Sequence, residues 1–579
     1  MGHRFYKLQT SNLMIHTHRP PSEVMKLSRL GAFHQTRLSF VRSLLRKVMR
    51  EQWQIARTLW DLDKDGFGTA IYTVSVPTES TPEIYSVVFF SNYIPDEKRT
   101  DRVIAEEWDV AFVLCEGLVS EAQVEELRAN VPKQEVGRFL PYVLVLSRAN
   151  KSTRNFATVI DSLSQGQQPD PAKLASIGYL YRTTAVYGNG KFGIADFSKL
   201  QQTQAFPVTF RAQMFAVFMV RQFSIEQANY LAQMRNPAWA VELDERIARY
   251  LGVGNATGLG MAPFIVSHPA ILHQWVSTRE QAIALVIEQG GLTEAIVDRF
   301  KALVVQAHQH VFEIETVHEL QHQRNELMLR ELQELIGGKL VTPAGISGLT
   351  WLDILKWVED YSPETQELIY SVMLELYPLL IDPLAEELNC EEIYDLRPDM
   401  ALSTLKSIIK DNYGWAIDID FAHKPNTQWF WYSSADKEEP RLGNRFEEEG
   451  QEKERPLTIA RDVDGLYAGI IAFLNQTPSA NVIDYLMTHP AERSLIRRIQ
   501  SLAELPYGEI QDNLIGEECL PIDMLRCKLS FFGASKFDPR SNLWVRITLF
   551  QGAPLVQDIG KPFADDWFWP IAPKLTEVK

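Results

Sequence analysis

Cysteine is scarce: four residues in 579, Cys115, Cys390, Cys519 and Cys527, form neither a CxxC pair nor a regular framework. That excludes a disulfide scaffold, so reduced thiols in a cytosolic setting are expected. Long apolar runs are missing too. The most apolar stretches, 214–220 and 470–474, are far too short to cross a bilayer. The opening MGHRFYKLQTSNLMIHTHRPPSEVMKL carries no apolar core of signal-peptide length, so a soluble cytoplasmic protein is expected. Basic residues are in deficit, 58 Lys and Arg against 74 Asp and Glu, for a net charge of −16. A general nucleic-acid or anionic-membrane surface needs a basic footprint and is excluded. Any anionic partner must be met by a local basic pocket. No internal repeat, low-complexity tract or Gly/Ser-rich or Pro-rich linker is present, so the domains should be tightly joined.

What remains is a chain that folds. With 45% hydrophobic and 11% aromatic residues it has ample core-forming material, and its length exceeds what one core usually serves. Apolar spacing predicts one long helix over 22–60, then strands at 69–76, 84–93 and 108–114. Helical patterns dominate from 152, among them 155–164, 210–235, 241–251, 263–289, 293–336, 351–359, 363–377 and 402–410. Past 412 the texture is mixed, with strand-like pieces at 415–421, 428–432 and 543–550 around helices at 462–475 and 491–502. The expected fold is α+β and predominantly helical, with small antiparallel sheets near the two termini. It divides into an N-terminal helix and sheet (1–150), a helical body (151–411) and a mixed C-terminal domain (412–579).

Three motifs carry chemistry. His318-Glu319-Leu320-Gln321-His322 spells HExxH: on a helix the two histidines share a face and reach one Zn²⁺, with Glu319 as general base on a metal-bound water. A third ligand is missing where a metzincin needs one, because position 328 is methionine, and no carboxylate lies in 337–351. Glu315-x-x-His318 and Glu319-x-x-His322 also have the spacing of a di-metal carboxylate bundle, but no second helix supplies a matching pair.

Gly188-Asn189-Gly190-Lys191-Phe192-Gly193 fits GxGxxG, with Lys191 and Arg182 adding charge. The run from Gly252 to Gly260, containing Thr257 and Gly258, precedes a proline suited to open a helix. Glycine loops of this kind offer backbone N–H groups to phosphate.

Finally, Arg526, Lys528, Lys536, Arg540 and Arg546 face only Asp523 and Asp538 between 519 and 552, a local net charge of +3. Strand-like alternation there places alternate residues on one face, and arginine suits forked recognition of carboxylate or phosphate. Cys527, between two cations, is a nucleophile candidate if exposed and a core residue if not.

The leading expectation is therefore an enzyme acting on a small anionic metabolite in a pocket of the glycine-rich loops (Gly188, Gly190, Lys191, Gly193, Thr257, Gly258) and the cations Arg182, Arg526, Lys528, Arg540 and Arg546. A zinc-dependent hydrolase at His318, Glu319 and His322 is the first alternative. A non-catalytic helical interaction protein is the second.

Overall fold

The computed structural model describes residues 16–95, 108–130, 140–184, 203–207, 210–258, 269–340, 348–386, 388, 395–420, 422, 429–433, 438–442, 455–457, 459–511, 520–541, 544–562 and 565–574. One mixed sheet of nine strands organises them. In chain order these are β1 (Gln54–Leu62), β2 (Gly68–Val76), β3 (Glu83–Ser91), β4 (Val110–Glu116), β5 (Val143–Lys151), β6 (Tyr179–Thr184) and β7 (Gly252–Gly258), joined from the far end of the chain by β11 (Ala534–Ser541) and β12 (Trp544–Leu549). Their order is β1-β2-β3-β4-β5-β6-β7-β12-β11, antiparallel throughout except for the parallel pair β6 and β7. The three remaining strands, β8 (Trp429–Ser433), β9 (Glu438–Leu442) and β10 (Arg455–Leu457), make a separate small sheet.

The expected small sheets near each terminus are thus overturned. β12 runs along β7 from Trp544 opposite Gly258 to Leu549 opposite Val253, so both ends of the chain complete one sheet. The expected helix over 22–60 is also wrong. Short turns at Pro21–Val24 and Leu27–Leu30 precede α1 (Phe40–Arg50), Gln52 takes a left-handed φ of 53°, and the chain leaves as strand β1.

Helices cover the sheet. α2 (Asn155–Ser164) and α3 (Arg211–Arg235) pack together, and α3 lies across β4 to β7. α3 is apolar around most of its circumference because it is enclosed on both sides. Beyond it lie α4 (Pro269–Ile287), α5 (Glu294–Phe312), α6 (Glu319–Glu334) and α7 (Pro363–Glu375). α8 (Leu402–Asn412), α9 (Ile459–Gln476) and α10 (Arg493–Leu502) build a small core of their own. α11 (Pro521–Phe532) replaces the strand expected around Cys527: Pro521 opens it and Gly533, at φ 94°, closes it. The main apolar core runs without a break from Val24 to Trp569.

At the centre of that core the interior is ionic. α7 carries Glu364, Glu367, Ser371 and Glu375, spaced by three or four residues and therefore on one face, and all are buried. Glu367, fully buried, meets Arg19 at 2.6 Å, Arg279 at 2.7 Å and Arg29 at 3.4 Å. Glu375 meets Arg42 at 3.1 Å and Arg37 at 3.3 Å, and Glu364 meets Arg526 at 3.3 Å. Asp565, near the C-terminus, ties Arg37, Arg42 and Arg46 together at 2.8, 3.0 and 3.4 Å. Burial alone would raise the Glu367 carboxyl, but Arg19 and Arg279 outweigh it and hold it at about 2.

Removing one member of such a network leaves uncompensated buried charge, at a cost of roughly 3–5 kcal/mol. Glu367→Gln should lower the unfolding free energy by that amount at neutral pH. Because the folded carboxyl is depressed, its contribution is present above the unfolded value near 4 and is lost as pH falls toward 2. Denaturant titrations of wild type and Glu367→Gln at several pH values should therefore converge between about pH 4 and 2, and a pH-independent gap would contradict this account.

Candidate functional site

β6, β7, β12 and β11 lie side by side, and they bring three of the expected anion-binding cations to one sheet face. Arg182 on β6 stands opposite Gly254 of β7, and Arg546 on β12 stands opposite both Ala256 of β7 and Asp538 of β11. Directly opposed residues share a face, and so do residues two apart along a strand. Lys536, opposite Thr548, therefore joins the group, as does Arg540 beyond Asp538. Asp538 is shared between Arg540, at 3.2 Å, and Arg546, at 3.8 Å. Both guanidinium groups remain partly exposed, and Arg182 has no ion-pair partner among the described residues.

The floor of this face is a tyrosine on glycine. The Tyr179 ring lies only 2.4 Å from where a Cβ on Gly254 would sit, so any larger residue at 254 would displace it. This is the physical reason for glycine in β7, which read from sequence as a phosphate-cradling loop. Burial pushes the Tyr179 hydroxyl up, opposed by the nearby charges of Arg546, Arg182 and Arg540. Asp538 is also pushed up by burial, while Arg540, Arg546 and Lys536 pull it down. Lys536 donates to the carbonyls of Ala175 and Ser176 at 2.7 and 3.1 Å, which fixes its ammonium at the edge of the cluster. Burial lowers its pKa, and the exposed Glu315 acts in the opposite sense. Sequence reading missed Tyr179; an aromatic residue opening a strand beside a glycine-rich one was the available signal.

The other expected residues lie elsewhere. Arg526 and Lys528 sit on α11, not on a strand. Arg526 is spent on Glu364 and, at 3.5 Å, on His34. Lys528 is buried over the Phe532 ring, where burial lowers its pKa to about 7. Cys527 between them is fully buried and its thiol is pushed up, which answers the nucleophile question in favour of the core. Thr257 and Gly258 are the last residues of β7. Gly188, Gly190, Lys191 and Gly193 lie outside the described residues, as do Cys390 and Cys519.

In the HExxH segment, α6 begins at Glu319, leaving His318 as its N-cap with extended backbone; its Nδ1 accepts from the Gln321 N–H at 3.4 Å. His322, on the helix, pairs with Glu326 at 3.3 Å, and Glu319 accepts from Gln323. The two histidines thus straddle the helix start instead of projecting from one face. Among the described residues no group of three or more His, Cys, Asp or Glu is placed to hold a metal ion. A capping role predicts that His318→Ala costs about 1 kcal/mol while His318→Asn is nearly neutral. His322→Ala should change the melting midpoint little, and equal losses at the two histidines would argue against this assignment. No family model, curated protein or solved structure matches this chain.

Proposed function

We propose that the protein binds a small anionic metabolite, a carboxylate or phosphate, on the β6–β7–β12–β11 face, as part of an enzyme acting on it. The observation that carries this reading is the gathering of Arg540, Arg546 and Lys536 around Asp538, with Arg182 joining Arg540 and Arg546 around Tyr179, in a chain of net charge −16. The four cations come from β6 and from the β11–β12 hairpin, more than 350 residues further along the chain, and among the described residues Arg540 and Arg546 have no other carboxylate within ion-pair distance. Arg540 and Arg546 present planar forks suited to an oxyanion, and Arg182 adds a third. The parallel arrangement of β6 and β7 strengthens the reading, because ligands of parallel sheets gather at the carboxyl ends of their strands. Arg182 lies near that end of β6. Asp538, pushed up by burial between two guanidinium groups, is the group placed to exchange a proton with a bound anion. No single helix among the described residues is long and apolar enough to cross a membrane.

Charge-assisted hydrogen bonds contribute about 1.5–3 kcal/mol each, so Arg540→Ala or Arg546→Ala should weaken anion binding by roughly ten- to a hundredfold. Asp538→Asn, which releases both arginines, should tighten it. Calorimetric titration with inorganic phosphate and a panel of mono- and dicarboxylates provides the measurement. Binding that survives unchanged in the folded Arg182→Ala/Arg540→Ala/Arg546→Ala triple variant would sink the proposal.

A further inference from the structure

β11 has a second face. Phe537, between Lys536 and Asp538, points away from the basic cluster and helps to line a chamber of about 70 Å³ that is partly open to solvent. The N-terminal segment, α5, α6, α11 and the C-terminal Trp569 enclose the rest of it. Its walls are mixed: Met328, Leu529, Phe537 and Trp569 are apolar, while Gln35, Gln321 and His34 are polar.

Two of the polar groups are unsatisfied acceptors. Gln35 Oε1 and Gln321 Oε1 are buried with no hydrogen-bond partner, in side chains only 5% and 3% exposed. Gln35 Nε2 donates to the Phe568 carbonyl, so turning that amide over would set oxygen against oxygen, and Gln321 Nε2 donates to Asn325 Oδ1 at 2.9 Å. His34 Nε2 lies between the Glu364 carbonyl at 3.2 Å and Arg526 Nη2 at 3.5 Å. Burial, reinforced by Arg526, lowers this imidazole to about 3, so it remains neutral.

The ionisable groups are spent. His310 is held at both nitrogens, by the Pro570 carbonyl at 2.8 Å and the Ser535 carbonyl at 2.9 Å. Arg526 is committed to Glu364. An anion would meet the two unpaired amide oxygens, and a cation would find no lining carboxylate to neutralise it. Unpaired buried acceptors cost about 1–3 kcal/mol each, which a matched ligand recovers.

We propose that this chamber is a second ligand site, specific for a small neutral molecule that carries two or more N–H or O–H donors on a short carbon frame, such as a primary amide or a polyol. At about 10–15 Å³ per water-sized occupant, the space holds roughly five to seven heavy atoms. The site lies across β11 from the anion-binding face and does not rest on it.

Equilibrium dialysis of the full chain with radiolabelled acetamide and glycerol tests this. One saturable site per chain is expected, weakened at least tenfold by Gln321→Met and by Gln35→Met, which keep side-chain length but remove the acceptor. Arg540→Ala should leave it unchanged. Acetate and methylammonium should bind wild type at least tenfold more weakly than acetamide, a comparison that stands even if one variant fails to fold. Absence of saturable binding by both neutral probes, which is the result for a chamber that holds only water, would overturn the proposal. So would equal affinity for a charged probe, or folded Met variants that bind as wild type does.

Discussion

The carboxylate stripe of α7 is the constraint around which the rest of the molecule is arranged. A helix that buries Glu364, Glu367 and Glu375 cannot occupy a core until cations are delivered to each, because the desolvation of an isolated carboxylate exceeds what its packing returns. The cations come from widely separated places: Arg19, Arg29, Arg37 and Arg42 from the N-terminal segment, Arg279 from α4 and Arg526 from α11. Docking α7 therefore requires the N-terminal segment, the helical layer and the C-terminal region to be in place together. Buried ion pairs contribute little net stability compared with apolar packing, but they penalise every arrangement that leaves one member alone. Their effect is to fix a single register for parts of the chain more than 300 residues apart.

Arginine serves this network where lysine would not. Each guanidinium divides its donors among several acceptors: Arg19 spans Glu280 and Glu367, and Arg37 spans Glu375, Asp382 and Asp565. Arg221 applies the same property to backbone. Fully enclosed in the middle of α3, it donates to the carbonyls of Ala248, Arg249, Leu251, Ala553 and Pro554, and burial lowers its pKa to about 9. It closes the helix that precedes β7 and, in the same contact, pins the chain that follows β12. Those two strands are neighbours in the sheet, so one side chain secures the junction between early and late sequence.

Local patterns were legible where the local environment decides structure. Strands β2, β3 and β4 and helix α2 follow from β-branched runs and apolar periodicity, and α2 spans the same residues that the periodicity marks. The failures share a cause: residues whose usual role was reversed by distant partners. Arg37, Arg42 and Arg46 fall in the segment expected as one long helix, yet all three are buried because carboxylates from α7, Asp382 and Asp565 meet them. β7, with the sequence GVGNATG, read as a loop, although Gly254 is a strand residue made necessary by the Tyr179 ring. α11 carried its own signal in Pro521 and Gly533, but the alternation of cations within it suggested a strand. Of the candidate anion site, Arg540 and Arg546 were legible as charge running against the chain's overall sign, and Arg182 as a charge beside the GxGxxG segment. Their convergence was not, since strand order in a sheet assembled from both ends of the chain leaves no local trace.

Strand β11 follows from these constraints as a partition. Its alternation sends Lys536, Asp538 and Arg540 to a face rich in fixed positive charge and Phe537 to a chamber whose charges are already paired. The two environments differ because their neighbours differ. On the first face no α7 carboxylate pairs with the arginines, which among the described residues share only Asp538. On the second, α11 and the N-terminal segment bring α7 close, and Glu364 takes up the guanidinium of Arg526. The same supply of buried carboxylate that holds the fold together thus decides where a cation is left available and where only neutral acceptors remain. Free charge is found on the sheet face that the ionic core does not reach.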